Sequence, residues 1–113
     1  MIEIYHNPRC SKSREALSIL EANTSDFEVI FYLEERLSVS KLKKVIQLLK
    51  LKPIDVIRKN ESIWKEHYKG LEFTDTELLK LMIKHPKLIE RPIIINGNQA
   101  VIGRPASKLL EIL

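Results

Sequence analysis

The spacing of apolar residues along the chain predicts its first elements. Residues 2–5 have the alternation of a short strand, and an apolar stripe at helical spacing follows between about Ser11 and Asn23. Residues 27–33 are again rich in strand-forming side chains. The chain therefore opens with a strand, a helix and a strand, and the short connections between them predict a parallel βαβ unit.

The middle of the chain is predicted to be helical. After Ser38, apolar residues recur at positions i, i+3, i+4 and i+7, as in an amphipathic helix: Leu42, Val45, Ile46 and Leu49. Pro53 is expected to begin a second, short helix, and residues 58–73 are expected to form helical turns and loop. Thr74 opens a capping-box pattern for another helix, which must stop near Pro86.

The spacing changes again in the last third of the chain. Residues 93–95 are an apolar run that leads into Asn96-Gly97, a strong hairpin signal, and residues 100–102 supply the returning strand. Pro105 then lies at the first turn of a predicted C-terminal helix.

This order of elements predicts an α/β protein with the thioredoxin-like fold. It consists of βαβ, an inserted helical section and ββα, arranged on a mixed central sheet. At 113 residues, of which 44% are hydrophobic, the chain has the size of one ordinary domain. No internal repeat or low-complexity linker divides the sequence, so we predict a single domain over residues 1–113.

Composition narrows the possible partners and the cellular location. The net charge of +4 is spread along the chain, which predicts no nucleic-acid partner but suits a small anionic substrate. The apolar runs are far shorter than the ~20 residues that cross a bilayer, so no membrane association is expected. Because a single cysteine excludes an internal disulfide and no secretion signal is evident, a cytoplasmic location is expected.

That single cysteine, Cys10, is the main candidate for chemistry. It lies where the first strand ends and the first helix begins, and His6, Arg9, Lys12 and Arg14 are all within four residues of it. Positive charge and a helix N-terminus both stabilise a thiolate, so the setting favours a reactive cysteine. The alternative at this point is a lone cysteine that serves as a small buried hydrophobe.

The sequence around Cys10 lacks the residues that three common kinds of cysteine site require. In a Cys-x-x-Cys oxidoreductase the second cysteine would stand at Ser13, so any covalent intermediate here must be released by an external thiol or by water. A cysteine phosphatase would carry an arginine where this chain has Ala16. For a zinc site, His6 and Cys10 supply two ligands without a second pair, and no metal is predicted.

Three arginines outside this segment are candidate anion ligands. Arg91 and Arg104 each precede a proline beside the predicted hairpin, and in a thioredoxin-like layout both positions approach the cysteine loop. Arg58 follows an apolar run near a predicted helix end. Guanidinium groups bind tetrahedral oxyanions through paired N–H donors, so Arg91 and Arg104 are predicted to converge on one anion.

Four segments follow one another along the chain: His6-Asn7-Pro8-Arg9-Cys10-Ser11-Lys12-Ser13-Arg14, Ile57-Arg58-Lys59-Asn60, Glu90-Arg91-Pro92-Ile93 and Gly103-Arg104-Pro105. In order and spacing they resemble the signatures of the glutaredoxin-dependent arsenate reductase (ArsC) family. The resemblance also suggests that Pro92 corresponds to the cis-proline that faces the active cysteine throughout the thioredoxin-like superfamily.

The resemblance implies an enzyme that reduces arsenate to arsenite. Cys10 would attack arsenate, His6 would help to hold the thiolate, and Arg58, Arg91 and Arg104 would neutralise the oxyanion. Glutathione would be the co-substrate and glutaredoxin the protein partner, with no bound cofactor.

Two other functions fit the same fold. One is a transcriptional regulator similar to the Spx proteins, which bind RNA polymerase and often carry a Cys-x-x-Cys switch that Ser13 removes here. The other is a glutathione-linked thiol oxidoreductase, which would not need the three arginines. Their presence favours the reductase.

Overall fold

The computed structural model describes residues 1–35 and 37–113. The strands are β1 (Ile2–Tyr5), β2 (Phe27–Ile30), β3 (Ile93–Asn96) and β4 (Gln99–Ile102), and the α-helices are α1 (Ser11–Asn23), α2 (Val39–Leu49) and α3 (Asp75–Lys84). Shorter helical segments are the 3₁₀ turns Pro53–Val56, Pro86–Leu88 and Ala106–Ile112 and the π turn Trp64–Tyr68. No helix within these described ranges is long and apolar enough to cross a membrane.

The chain divides into two compact units. The first, which we call the strand unit, contains Met1–Glu35 and Arg91–Leu113, and the second, the helical unit, contains Arg36–Glu90. The prediction of a single domain over residues 1–113 stays a prediction.

The strand unit is built on a mixed four-stranded sheet in the order β2-β1-β3-β4. β1 is parallel to β2, with Tyr5 opposite Ile30, and antiparallel to β3, with Tyr5 opposite Ile93. β3 in turn is antiparallel to β4, with Ile93 opposite Ile102. The ends of β1, β2 and β4 and the start of β3 therefore meet at one edge of the sheet, which we call the loop edge. The parallel βαβ unit and the α/β thioredoxin-like class are confirmed.

One face of this sheet packs against the helices of the strand unit. Because strand side chains alternate between faces, Ile2 and Ile4 of β1 point to the same side, where Ile94 of β3 also lies. The helical side of this core comes from α1 and from the C-terminal 3₁₀ segment: Ala16, Leu20, Ala106, Leu109 and Ile112. α1 is thereby fixed against the sheet, which also fixes its N-terminus at the loop edge.

The helical unit follows its sequence signals closely. The hydroxyl of Ser38 caps α2 by accepting a hydrogen bond from the backbone N–H of Lys41. Thr74 and Glu77 form the predicted capping box at the start of α3. α2 and α3 pack together, and their buried apolar residues are Leu42, Val45, Ile46, Leu78, Leu79 and Met82.

Two boundaries differ from the sequence prediction. β2 ends at Ile30 instead of extending to residue 33, because its one neighbour in the sheet, β1, ends opposite it at Tyr5. The C-terminal segment is a 3₁₀ helix that begins at Ala106, so that Pro105 precedes it and does not lie within its first turn.

The hairpin turn lies one residue further along than predicted. Asn96 pairs with Gln99 in the ladder, which leaves Gly97 and Asn98 as the two turn residues, and Gly97 takes the positive φ of 63°. The Asn96 side chain instead donates a 2.6 Å hydrogen bond to the carbonyl oxygen of Ile112. This contact links the end of β3 to the C-terminal segment.

The core assignment predicts a large difference between two leucine-to-alanine changes. Leu20 is fully buried, whereas Leu110 is 49% exposed. Leu20→Ala should lower the free energy of unfolding by about 2–5 kcal/mol, since it removes buried methyl groups and leaves a cavity. Leu110→Ala should change it by less than about 0.5 kcal/mol. Urea unfolding of both variants checks this, and equal losses would contradict the assigned core.

Candidate active site

Cys10 is the N-cap residue of α1, at the loop edge. Its backbone is extended, with φ −93° and ψ 122°, and its carbonyl oxygen accepts the first helical hydrogen bond, 3.0 Å long, from Arg14 N–H. The chain reaches this position through a tight turn in which Asn7 Oδ1 accepts from Arg9 N–H at 3.0 Å and Asn7 O accepts from Cys10 N–H at 3.0 Å. The half-buried thiol therefore lies beside the backbone N–H groups of a helix start, which favour negative charge.

Among the residues that the structure describes, Arg104 is the cation whose side chain contacts the Cys10 thiol. Its Nη2 lies 3.9 Å from Cys10 Sγ, across 94 positions of sequence. Its Nε donates a 2.7 Å hydrogen bond to the carbonyl oxygen of Arg91, which orients the guanidinium. The sequence prediction that Arg104 approaches the cysteine loop is confirmed.

Arg91 lies at the start of the strand unit's second segment, next to β3. The Arg91–Pro92 peptide bond is cis, as is Arg104–Pro105. Arg91 Nε is buried and has no hydrogen-bond partner in residues 1–35 and 37–113. A buried N–H donor without an acceptor is costly, and a bound oxyanion would supply one. Anion binding by Arg91 stays a prediction.

Arg58 belongs to the helical unit. Its backbone N–H donates to Leu88 O at 2.7 Å, and its Nη1 forms a 2.8 Å ion pair with Glu61 Oε1. Both side chains are partly buried, with 18% and 26% of their surface exposed, respectively. The role of Arg58 at an oxyanion stays a prediction.

His6 is buried at the end of β1 and bonds to Ser13. Its Nδ1 lies 2.6 Å from Ser13 Oγ, and no hydrogen bond joins it to Cys10 in the part of the chain that the structure describes. Burial, and secondarily the charge of Arg14, lower the pKa of His6 from its usual value of 6.5. The imidazole is therefore mainly neutral near pH 7, so any support that it gives the thiolate acts through hydrogen bonding. That role stays a prediction.

Ser13 is a site residue that sequence reasoning missed. It is fully buried, and its hydroxyl oxygen bonds His6 Nδ1 and accepts a 3.0 Å hydrogen bond from Asn7 N–H. It thus joins the end of β1, the cysteine loop and the first turn of α1. The available signal was spacing, because Ser13, Ala16 and Leu20 lie on one face of α1. A hydroxyl on that buried face must find partners.

The described residues contain no group of three or more His, Cys, Asp or Glu side chains that could hold a metal ion. Of the other histidines, His85 Nε2 bonds Tyr68 Oη at 3.2 Å, and His67 lies 4.0 Å from a carboxylate oxygen of Glu66.

The arrangement of a helix-capping cysteine, a facing arginine and the cis-proline hairpin agrees with comparisons to known proteins. The ArsC family model matches residues 5–112. The chain belongs to the ArsC family. The predicted resemblance is confirmed, and the family match includes Cys10 and the three candidate arginines.

Individual proteins of other organisms match over nearly the whole chain. An arsenate reductase from Haemophilus influenzae is 40% identical over 112 residues, which cover 97% of each protein. The uncharacterized protein YfgD of Escherichia coli K12 is 38% identical, covering 99% of this chain and 96% of that one. A solved structure of an arsenate reductase from Vibrio cholerae is 46% identical, with a TM-score of 0.94, and covers 99% of this chain and 97% of that one.

The contacts of Ser13 predict that its hydroxyl stabilises the fold. Ser13→Ala leaves the N–H of Asn7 and the ring of His6 without their buried partner, so the free energy of unfolding should fall by about 1–3 kcal/mol. Ser11→Ala, at an exposed position of the same turn, is the matched control and should change it by less than about 0.5 kcal/mol. Urea unfolding measures both, and equal effects would show that the Ser13 contacts are unimportant.

The lowered pKa of His6 predicts a dependence of stability on pH. Burial disfavours the protonated ring, so below pH 6.5 the unfolded chain binds more protons than the folded chain. The free energy of unfolding should therefore be highest above pH 6.5, where the His6 ring is neutral in both states, and should decline as the pH falls below 6.5. His85, whose pKa is also lowered by burial and by nearby Lys84, contributes in the same direction.

Urea unfolding of the wild type and of His6→Gln, at about pH 7.5 and pH 5.5, checks this dependence. The loss between the two pH values should be smaller in His6→Gln, with His85→Gln as a parallel variant for the second group. An unchanged loss in His6→Gln would contradict the assignment to His6.

Proposed function

We propose that this protein is an arsenate reductase that uses Cys10 as its nucleophile and glutathione and glutaredoxin as its source of electrons. The observation that carries the proposal is the 3.9 Å approach of the Arg104 guanidinium to Cys10 Sγ at the N-terminus of α1. Membership in the ArsC family and 40% identity to an arsenate reductase support the same reaction.

The first step forms a bond between sulfur and arsenic. The Cys10 thiolate attacks arsenate, an As–S bond forms, and one arsenate oxygen takes up protons and leaves as water. The remaining oxygens carry negative charge next to the start of α1, where backbone N–H groups and guanidinium donors stabilise an oxyanion. Arg104 and the Nε of Arg91, which has no hydrogen-bond partner among the described residues, are the groups of the strand unit that we assign to this charge. Arg58 is assigned to it from the family resemblance.

The second stage needs thiols from outside the chain. Reduction of arsenate to arsenite takes two electrons, and the protein has one cysteine. Ser13, which stands where a dithiol enzyme has its second cysteine, is engaged with His6 and Asn7. Two external thiols therefore supply the electrons, so that arsenate and two thiols give arsenite, one disulfide and water. Glutathione and glutaredoxin are the proposed donors, and the cytoplasmic location stays a prediction.

Steady-state assays of arsenite release test the proposal. With arsenate, glutathione and glutaredoxin present, Cys10→Ser should reduce turnover to the background rate. Arg104→Ala should lower kcat/KM for arsenate by about 10- to 100-fold, as expected when a charged hydrogen-bond donor is removed. Arg104→Lys should lose less because it keeps the charge. Lys108→Ala, an exposed cation four residues away, is the control and should retain activity.

A Cys10→Ser variant with wild-type turnover would contradict the proposed nucleophile. An active protein that reduces a glutathione mixed disulfide but releases no arsenite would instead identify a thiol oxidoreductase.

A further inference from the structure

A pocket of about 230 Å³ lies beside the cysteine loop, in the strand unit. One wall comes from the segment between β1 and α1 and the other from the segment that follows β2. The lining residues are His6, Asn7, Pro8, Arg9, Phe31, Leu33 and Glu34. We call this the β2-side pocket. It is not lined by any of the three candidate oxyanion ligands.

The sheet order places this pocket and the arginines on opposite sides of the cysteine loop. β2 lies on one side of β1, whereas β3 and β4 lie on the other. At the loop edge, residues that follow β2 therefore flank the loop from one side, and Arg91 and Arg104 flank it from the other. Cys10 does not line this pocket, but Arg9 immediately precedes it and Asn7 O accepts a hydrogen bond from its N–H. A second reactant in the β2-side pocket would therefore approach the cysteine loop from the side away from Arg91 and Arg104.

The pocket walls combine apolar surface with two opposite charges. Phe31 and Leu33 are each 39% exposed and line the pocket, and the Phe31 ring packs edge-on against His6 with centroids 5.9 Å apart. Arg9 and Glu34 are also exposed. Among residues 1–35 and 37–113, no hydrogen bond or ion pair involves the guanidinium of Arg9 or the carboxylate of Glu34. The walls thus match a ligand with an apolar centre, a carboxylate and an ammonium group.

We propose that the β2-side pocket binds the thiol co-substrate, a zwitterionic peptide thiol of the glutathione type. Arg9 pairs with a carboxylate of the peptide, Glu34 pairs with its ammonium group, and Phe31 and Leu33 contact the thiol-bearing residue. The inference rests on the proposed function, in which a chain with one cysteine depends on an external thiol.

The size of the pocket sets the expected affinity. Its volume is below the range of about 300–1,000 Å³ that is usual for enclosed small-molecule sites. It therefore holds part of a tripeptide while the rest stays in solvent. Binding is expected to be weak, with a dissociation constant in the millimolar range, as suits a co-substrate that must exchange at every turnover.

Titration with S-methylglutathione, which cannot react, tests binding apart from catalysis. Amide resonances of the wild-type protein at Arg9, Leu33 and Glu34 should shift in ¹⁵N NMR spectra. Arg9→Ala and Glu34→Gln should each weaken binding by about threefold, as is usual for exposed charge pairs. Glu35→Gln, at the neighbouring exposed position, is the matched control and should bind as the wild type does. Shifts elsewhere, or unchanged binding in the double variant, would overturn the proposal.

Kinetics separate this proposal from the proposed function. Arg9→Ala and Glu34→Gln should each raise the KM for glutathione, and Glu34→Gln should leave the KM for arsenate unchanged. Arsenite release with an unaltered KM for glutathione would overturn the pocket assignment while the reductase stands. S-methylglutathione binding at the pocket in a protein that releases no arsenite would support the thiol site and overturn the reductase.

Discussion

The pairing of β1 with strands on both sides is the constraint on which the site depends. Tyr5, the last residue of β1, is opposite Ile30 of β2 and Ile93 of β3. This register brings the cysteine loop, the turn after β2 and the arginines beside β3 and β4 to a single edge of the sheet. A shift of one residue would turn Ile2 and Ile4 away from the core, so hydrophobic burial maintains the register. The same burial that stabilises the strand unit therefore places Arg104 at Cys10.

A small buried polar group then shapes the loop itself. Ser13 reaches back from α1 to the end of β1, bonding the His6 ring and the Asn7 backbone. Its position is that of the second cysteine in a dithiol enzyme, but here the side chain holds the loop and leaves Cys10 without an internal partner. A serine at position 13 in place of cysteine therefore stabilises the cysteine loop, and it also means that the electrons for reduction must come from external thiols. The separation of the arginines from the β2-side pocket is consistent with a reaction that takes an oxyanion and a thiol in turn.

Local patterns predicted most of the fold because each element carries its own signal. The capping box at Thr74, the apolar stripe of α2 and the strand spacing of residues 2–5 are all contained in short segments. The errors came from contacts between distant segments. Asn96 pairs with Gln99 in the ladder while its side chain bonds Ile112, and β2 stops at Ile30 because β1 offers no further partner.

The parts of the site that depend on charge and on the order of elements could be predicted from the sequence. The parts that depend on side-chain packing could not. Cys10 at the N-cap and Arg104 beside it followed from the element order and the thioredoxin-like layout. The role of Ser13 depends on which face of α1 is buried. The Glu61 contact of Arg58 likewise has no distinctive sequence signal.

The most direct test of the central claim is a crystal of the reduced protein soaked in arsenate, with anomalous diffraction measured at the arsenic edge. We expect an arsenic peak at covalent distance from Cys10 Sγ, with its oxygens in contact with Arg104 and Arg91. Arsenic bound elsewhere on the protein, with Cys10 unmodified and Arg104 turned away from it, would contradict the account.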